Sequence, residues 1–269
     1  MTFQEKLDAA VRQNDSLLCV GLDSEWSKLP AHLQGGAEDA QLAFNRAIIE
    51  ATSDLVCAYK PNTAFYEARG LAGWQVLMET VKLIPQHIPV ILDAKRGDIG
   101  NTSRLYAEAF FDAMGVDAVT VHPYMGTDTV SPFLAYPDKA IFVLVKTSNQ
   151  SAVEFEDLPQ PDGRKLYEHV AGQVAIWNRE YPGTAGIVAG ATYPEDLVAL
   201  RRQLPEVPFL IPGVGTQGGD VQATATAAGS NAIINASRAV IFASGGTDFA
   251  ERARNAADAL RQEINLYRV

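Results

Sequence analysis

Eight short, almost continuously apolar runs recur along this 269-residue chain, and longer amphipathic stretches separate them. The runs fall at residues 17–23, 56–61, 89–95, 118–123, 140–147, 186–191, 208–212 and 232–235. A strand with one solvated face alternates apolar and polar residues. Runs that do not alternate are buried on both faces, as in parallel sheets covered by helices. Apolar periodicity predicts helices over 39–52, 72–84, 102–114, 163–179, 194–203 and 248–266. Asn101-Thr102-Ser103 and Thr247-Asp248 offer N-cap side chains at two of their starts. A closed barrel typically takes about 250 residues, so eight such units predict an α/β chain folded as one (β/α)8 TIM barrel, a single domain over residues 1–269. The alternative is an open doubly wound sheet. It calls for G-x-G-x-x-G after the first strand, where Gly21-Leu22-Asp23-Ser24 stands instead.

With 47% hydrophobic residues the chain can bury a sizeable core, and its net charge of −10 argues against nucleic acid and anionic membranes as partners. That charge does not exclude an anionic small molecule, because a few local cations can dominate a pocket. Cys19 and Cys57 sit in apolar strand runs and read as buried free thiols, not as a disulfide framework or a metal site. The first 17 residues carry charges throughout, with no apolar stretch of signal-peptide kind. No segment reaches the ~20 apolar residues that span a bilayer. The expected location is the cytoplasm.

In a barrel, chemistry gathers at the carboxyl ends of the strands. Strand three ends in Asp93-Ala94-Lys95-Arg96-Gly97-Asp98, and strand two ends in Lys60-Pro61-Asn62. Residues two apart on a strand leave the same face, so Asp93 and Lys95 are expected to point together into the barrel. Lys60 is expected beside them on the neighbouring strand and Asp98 just beyond. The result would be an alternating array of two carboxylates and two ammonium groups, each favouring the charged state of its neighbour. Such an array keeps Lys95 protonated and in place, as a proton donor to carbon requires. The alternative is an ion-pair network that only stabilises the barrel.

A second constellation suits an anion. Residues 212–220 are rich in glycine, which lets backbone N–H groups approach a phosphate, and Gln217 adds an amide donor. Strand eight is followed by Arg238, whose planar guanidinium fits bidentate phosphate contact. Taken alone, the glycines would read as an ordinary turn. Ser148 and Asn149 could bond a heterocycle or cap a strand, and Asp23 could hold ribose hydroxyls or pair with a neighbouring cation. His122 reads as structural; His32, His87 and His169 need no role. Neither H-E-x-x-H nor an EF-hand loop occurs, nor G-x-S-x-G.

Asp93 to Thr102 reads D-A-K-R-G-D-I-G-N-T. This resembles the D-x-K-x-x-D-I-x-x-T signature of the orotidine 5'-phosphate decarboxylase family, in the wording of its longer bacterial subgroup (type 2). Further points of resemblance are Gly21-Leu22-Asp23, Lys60-Pro61-Asn62, Val121-His122-Pro123-Tyr124, Thr147-Ser148-Asn149, Gly213-Val214-Gly215-Thr216-Gln217-Gly218-Gly219-Asp220 and Ser237-Arg238. The resemblance implies a homodimer that converts OMP to UMP and CO2 without metal or organic cofactor. Lys95 would protonate C6 of the pyrimidine within a network of Lys60, Asp93 and Asp98. It also implies that Asp98, Ile99 and Thr102 complete the partner's site. Asp23 and Thr102 would contact ribose, Ser148 and Pro212 the base, and Gln217 and Arg238 the phosphate. The glycine-rich loop at 213–219 would be a lid, with residues 149–162 a second mobile region. Two other readings remain: a metal-dependent sugar-phosphate decarboxylase or synthase of the same superfamily, and a non-catalytic nucleotide-binding barrel.

Overall fold

The computed structural model describes residues 1–36, 39–214 and 220–268. Eight parallel strands form one sheet: β1 (Leu18–Gly21), β2 (Ala58–Lys60), β3 (Ile91–Arg96), β4 (Ala118–Val121), β5 (Ala140–Lys146), β6 (Thr184–Ala189), β7 (Phe209–Pro212) and β8 (Ala232–Ala236). The order is β2-β1-β8-β7-β6-β5-β4-β3. Parallel bridges Tyr59–Val90 and Asn62–Asp93 join the two ends, so the barrel closes. All eight strands lie at or within the apolar runs, or overlap them to within two residues.

The helices are α1 (Phe3–Asn14), α2 (Ala40–Thr52), α3 (Ala64–Glu67), α4 (Gly70–Leu83), α5 (Gly100–Ala107), α6 (Thr127–Leu134), α7 (Leu166–Glu180), α8 (Pro194–Gln203), α9 (Val221–Ala228), α10 (Arg238–Ile241) and α11 (Phe249–Tyr267). Two expectations at helix starts fail. The helix expected from Thr102 begins at Gly100, with Ile99 as N-cap and no side-chain cap bond. Its second half, Glu108–Met114, winds as a π-helix. Asp248 does precede α11, but its carboxylate accepts from Ser244 and Arg252 and caps nothing.

Two layers of apolar packing hold the barrel. The outer layer lies between strands and helices and contains Phe44, Tyr66, Phe133 and Trp177. The inner one fills the barrel with Cys19, Cys57, Ile91, Phe142, Val188, Leu210 and Ile233. Gly186 makes room for the largest of these: a Cβ there would fall 2.6 Å from the Phe142 ring. Cys19 and Cys57 are buried free thiols, as expected, and burial pushes the Cys19 thiol up to about 12.

Helix α1 plugs the amino-terminal end of this interior. Thr2 and Glu5 form a reciprocal capping box that starts it. Its apolar face then carries Phe3, edge-on to Phe142 at 5.7 Å, and Leu7 into the inner core. Lys6 ties the plug to Asp117, just before β4, at 2.8 Å. With that end stopped, a cleft opens at the carboxyl-terminal mouth. No helix among the described residues is long and apolar enough to cross a membrane.

Candidate active site

A cleft of about 290 Å³ opens at the carboxyl ends of the strands. Its wall includes Asp23, Lys60, Asp93, Lys95, Ser148, Pro212 and Arg238, contributed by six strand ends. These are seven of the eleven residues singled out from the sequence.

Asp93 is the hub. Its Oδ2 accepts from Lys60 Nζ at 3.1 Å and Asn62 Nδ2 at 3.2 Å. Its Oδ1 accepts from Lys95 Nζ at 2.6 Å and the Thr120 hydroxyl at 2.9 Å. Burial pushes the Asp93 carboxyl up, but the Lys60 and Lys95 ammonium groups outweigh it and hold it far below the usual carboxylate range. Burial likewise pulls Lys60 down. Asp93 and then Asp23 more than offset that, and Lys60 stays above the ordinary lysine value. The side chains differ in access: Lys60 is 4% exposed and Lys95 49%. Lys60 is thus a fixed cation in the wall, whereas Lys95 presents its ammonium group to the open cleft.

The convergence of Asp93 and Lys95 does not come from regular strand alternation. The register of β3 against β4 runs Leu92–Val119 and then Arg96–Val121, so four steps on one strand face two on the other. Lys95 sits in this irregularity with φ +48°, a left-handed conformation that is costly for a residue with a Cβ. Thr120 secures it. The hydroxyl that donates to Asp93 also accepts from the Lys95 N–H at 3.0 Å. Beyond the irregularity, Arg96 pairs with Glu67 of α3.

Asp98 does not join the array. The chain leaves β3 at Gly97, where a Cβ would strike the His122 ring at 2.5 Å, and turns into α5. Asp98 makes no ion pair among the described residues; its Oδ1 accepts only from the adjacent Ile99 N–H at 2.7 Å. Neither Asp98, Ile99 nor Thr102 lines the cleft, so within one chain the expected four-charge array has three members. His122 is likewise absent from the cleft wall, in keeping with a structural role.

Arg238 stands at the cleft wall, at the start of α10, with no ion pair among the described residues. Gly213 and Val214 line the same side, while Gln217 and the rest of the loop from 215 to 219 lie outside the described residues. The wall therefore has a lysine–aspartate array on β2 and β3 and, after β8, a guanidinium with no ion pair among the described residues. Thr120 and Asn62 were missed from the sequence. Thr120 reads as an ordinary β-branched strand residue, and only the irregularity in β3 gives its hydroxyl two partners. Asn62 could have been found as the polar residue that ends Lys60-Pro61-Asn62. Among the described residues no group of three or more His, Cys, Asp or Glu is placed to hold a metal ion.

Fold and cleft together define the class: a (β/α)8 barrel with a cation-rich cleft at the end where such barrels carry their chemistry. Residues 16–253 match the Orotidine 5'-phosphate decarboxylase / HUMPS family, and the chain belongs to it. It is 52% identical to the orotidine 5'-phosphate decarboxylase of Herpetosiphon aurantiacus over 98% of this chain and 99% of that protein. Among solved structures it resembles Leishmania donovani OMP decarboxylase, with TM-score 0.85, 39% identity and 99% of both chains covered. It also resembles Leishmania donovani UMP synthase, with TM-score 0.87 and 40% identity; it spans 99% of this chain but 56% of that longer one.

Proposed function

We propose that this protein is an orotidine 5'-phosphate decarboxylase: it converts OMP to UMP and CO2 in pyrimidine biosynthesis, with Lys95 as the proton donor. The observation that carries this reading is the Lys95 ammonium group, half exposed to the cleft and held at 2.6 Å by a carboxylate that stays ionised. Loss of CO2 breaks the C6–carboxyl bond and leaves its electron pair on C6, where no adjacent group delocalises it. A fixed cation beside C6 stabilises that pair, and the same Nζ then delivers a proton to it. Asp93 cannot compete for the proton role, because its carboxyl stays deprotonated. Its part is to orient Lys95 and Lys60 together. The barrier to be removed lies toward the upper end of the roughly 8–23 kcal/mol that enzymes supply, so electrostatic stabilisation must be large.

Arg238 and Gln217 would hold the phosphate. Asp23 and Thr102 would hold ribose hydroxyls, and Ser148 and Pro212 the base. Phosphate binding remote from C6 can be used to hold the reacting ring in place. The active species in this reading is a homodimer in the cytoplasm, with Asp98, Ile99 and Thr102 reaching the partner's cleft. Asp98 would then face the substrate carboxylate and raise its energy before CO2 departs, a secondary contribution. Two features support the dimer: Asp98 has no cation partner among the described residues, and Ile99, Leu105, Tyr124 and Met125 are exposed apolar residues. Gly100 lies against Asp128, which brings the first pair near the second.

The reading assigns no role to a metal or organic cofactor. Turnover of OMP followed by absorbance, with excess EDTA, tests it against the sugar-phosphate enzymes of the same family. Undiminished conversion of OMP is expected. Activity abolished by EDTA, or turnover of a hexulose 6-phosphate and not of OMP, overturns it. UMP binding without any OMP turnover would favour a non-catalytic nucleotide-binding barrel.

A further inference from the structure

Lys146 ends β5 and is 2% exposed, and it is not among the residues that line the cleft. Its Nζ lies 2.5 Å from Asp157 Oδ1 and 4.0 Å from Glu156 Oε2, and about 5 Å from the ring centres of Tyr167 and Tyr193. Glu156 grips the next residue. Its Oε2 accepts from the Thr147 backbone N–H at 2.9 Å and its Oε1 from the Thr147 hydroxyl at 2.6 Å. The segment that carries both acids is anchored at its other end. Tyr167 N–H donates to Glu156 O and Leu166 N–H to Leu158 O, while Asp157 Oδ2 also reaches Lys165 at 3.5 Å. On the far side, Gly190 N–H donates to Lys146 O, and a Cβ on Gly190 would meet Ser148 at 2.9 Å. The connection after β5, expected to be mobile, is therefore fastened at its middle. Thr147, which it fastens, lines the cleft together with the two residues that follow, Ser148 and Asn149.

We infer that Glu156 and Asp157 form a latch on the end of β5: they are positioning residues that keep Thr147–Asn149 in the shape that receives the planar ring of the substrate, and so set its affinity. The inference rests on the nucleotide reading of the cleft. Neither acid lines the cleft, and Lys95 lies on β3, two strands from β5 in the barrel order. A loosened latch leaves Thr147–Asn149 in the receptive shape for only part of the time, and apparent affinity falls by that fraction. Once substrate is bound the segment is in place, and the chemical step proceeds as before. The signature is a raised KM with kcat nearly kept.

Glu156→Ala is the cleaner variant, because it strips two charge-assisted hydrogen bonds without leaving a buried ammonium group unpaired. We expect its KM for OMP and its Kd for UMP to rise together by about tenfold or more, with kcat within about threefold of wild type. Glu156→Gln keeps an acceptor for the Thr147 N–H and should fall between. Asp157→Asn should shift in the same direction. Hydrogen exchange gives an independent readout: amides of residues 150–165 should exchange faster in Glu156→Ala and regain protection when UMP is added. A Glu156→Ala protein with wild-type KM and UMP affinity, beside a wild type that turns over OMP, overturns the latch alone. A fall in kcat at unchanged KM also overturns it, since that is the mark of a structural defect. A wild type that neither turns over OMP nor binds UMP overturns the nucleotide reading and this inference with it.

Discussion

Asp93 serves two ammonium groups with one carboxylate, and this decides how the cleft responds to substitution and pH. Its folded pKa lies below its unfolded value of about 4, so its stabilising contribution is complete above that pH. It is lost only as the pH falls through the folded value. Lys60 runs the other way. Its folded pKa lies above the unfolded value of about 10.5, so its contribution is complete below that pH and is lost as the pH rises through the folded value. Between about pH 5 and 9 the pair contributes a constant amount. Asp93→Asn removes the main upward influence on Lys60, and burial then prevails. We expect that variant to lose about 3–5 kcal/mol at neutral pH and to recover part of it as the pH approaches about 10. Denaturant midpoints across that range check this, and a variant whose pH dependence matched wild type would contradict it. Lys95 offers a second test at this scale, because its φ of +48° strains any residue with a Cβ. Lys95→Gly should be more stable than Lys95→Ala by about 1 kcal/mol, although both lose the ammonium group. Equal unfolding midpoints would show that the backbone there relaxes without cost.

At the scale of elements, the strands were legible because each is buried on both faces and so reads as an unbroken apolar run. Helices with a long apolar stripe, such as α2 and α11, were legible too. The helices that went unread have identifiable reasons. Val221–Ala228 is built from Val, Gln, Ala and Thr, and its small side chains give little contrast between faces. Thr127–Leu134 is one short segment with Pro132 inside it. Phe3–Asn14 is charged along most of its length, and only its Thr2-x-x-Glu5 start marks it. In the cleft, the lysines and aspartates were legible as charges out of place at strand ends. Thr120 was not, because its importance arises from the irregularity in β3, which no local pattern announces. Glu156 was not, because its partners at Thr147 lie across a loop that doubles back. Helix α1 also carries a prediction. Phe3 is 1% exposed and sits at the end of the barrel away from the cleft. Phe3→Ala should cost about 3–5 kcal/mol of stability in a denaturant titration while leaving the KM for OMP unchanged. A large change in KM would mean that the plug and the mouth are coupled.

For the whole molecule, a net charge of −10 repels the substrate at long range, so the cleft must supply its own attraction through Lys60, Lys95 and Arg238. The proposed homodimer makes the fourth charge an intermolecular one. Lys95→Ala would be inactive as a purified dimer and Asp98→Ala well below wild type. If Asp98 serves the partner's cleft, unfolding and refolding the two together produces mixed dimers with one intact cleft apiece, and about a quarter of all clefts should recover. The measurement is OMP turnover before and after mixing. No recovery, with mixed dimers demonstrated by mass, would place Asp98 in the cleft of its own chain.

In the proposed mechanism the Lys95 ammonium group, steered by Asp93, protonates the carbon that loses CO2. The most direct test is kcat/KM for OMP in Lys95→Ala, with folding confirmed by circular dichroism and UMP binding by titration. A folded protein that still binds UMP and has lost many orders of magnitude in kcat/KM is expected. Turnover within tenfold of wild type would contradict it.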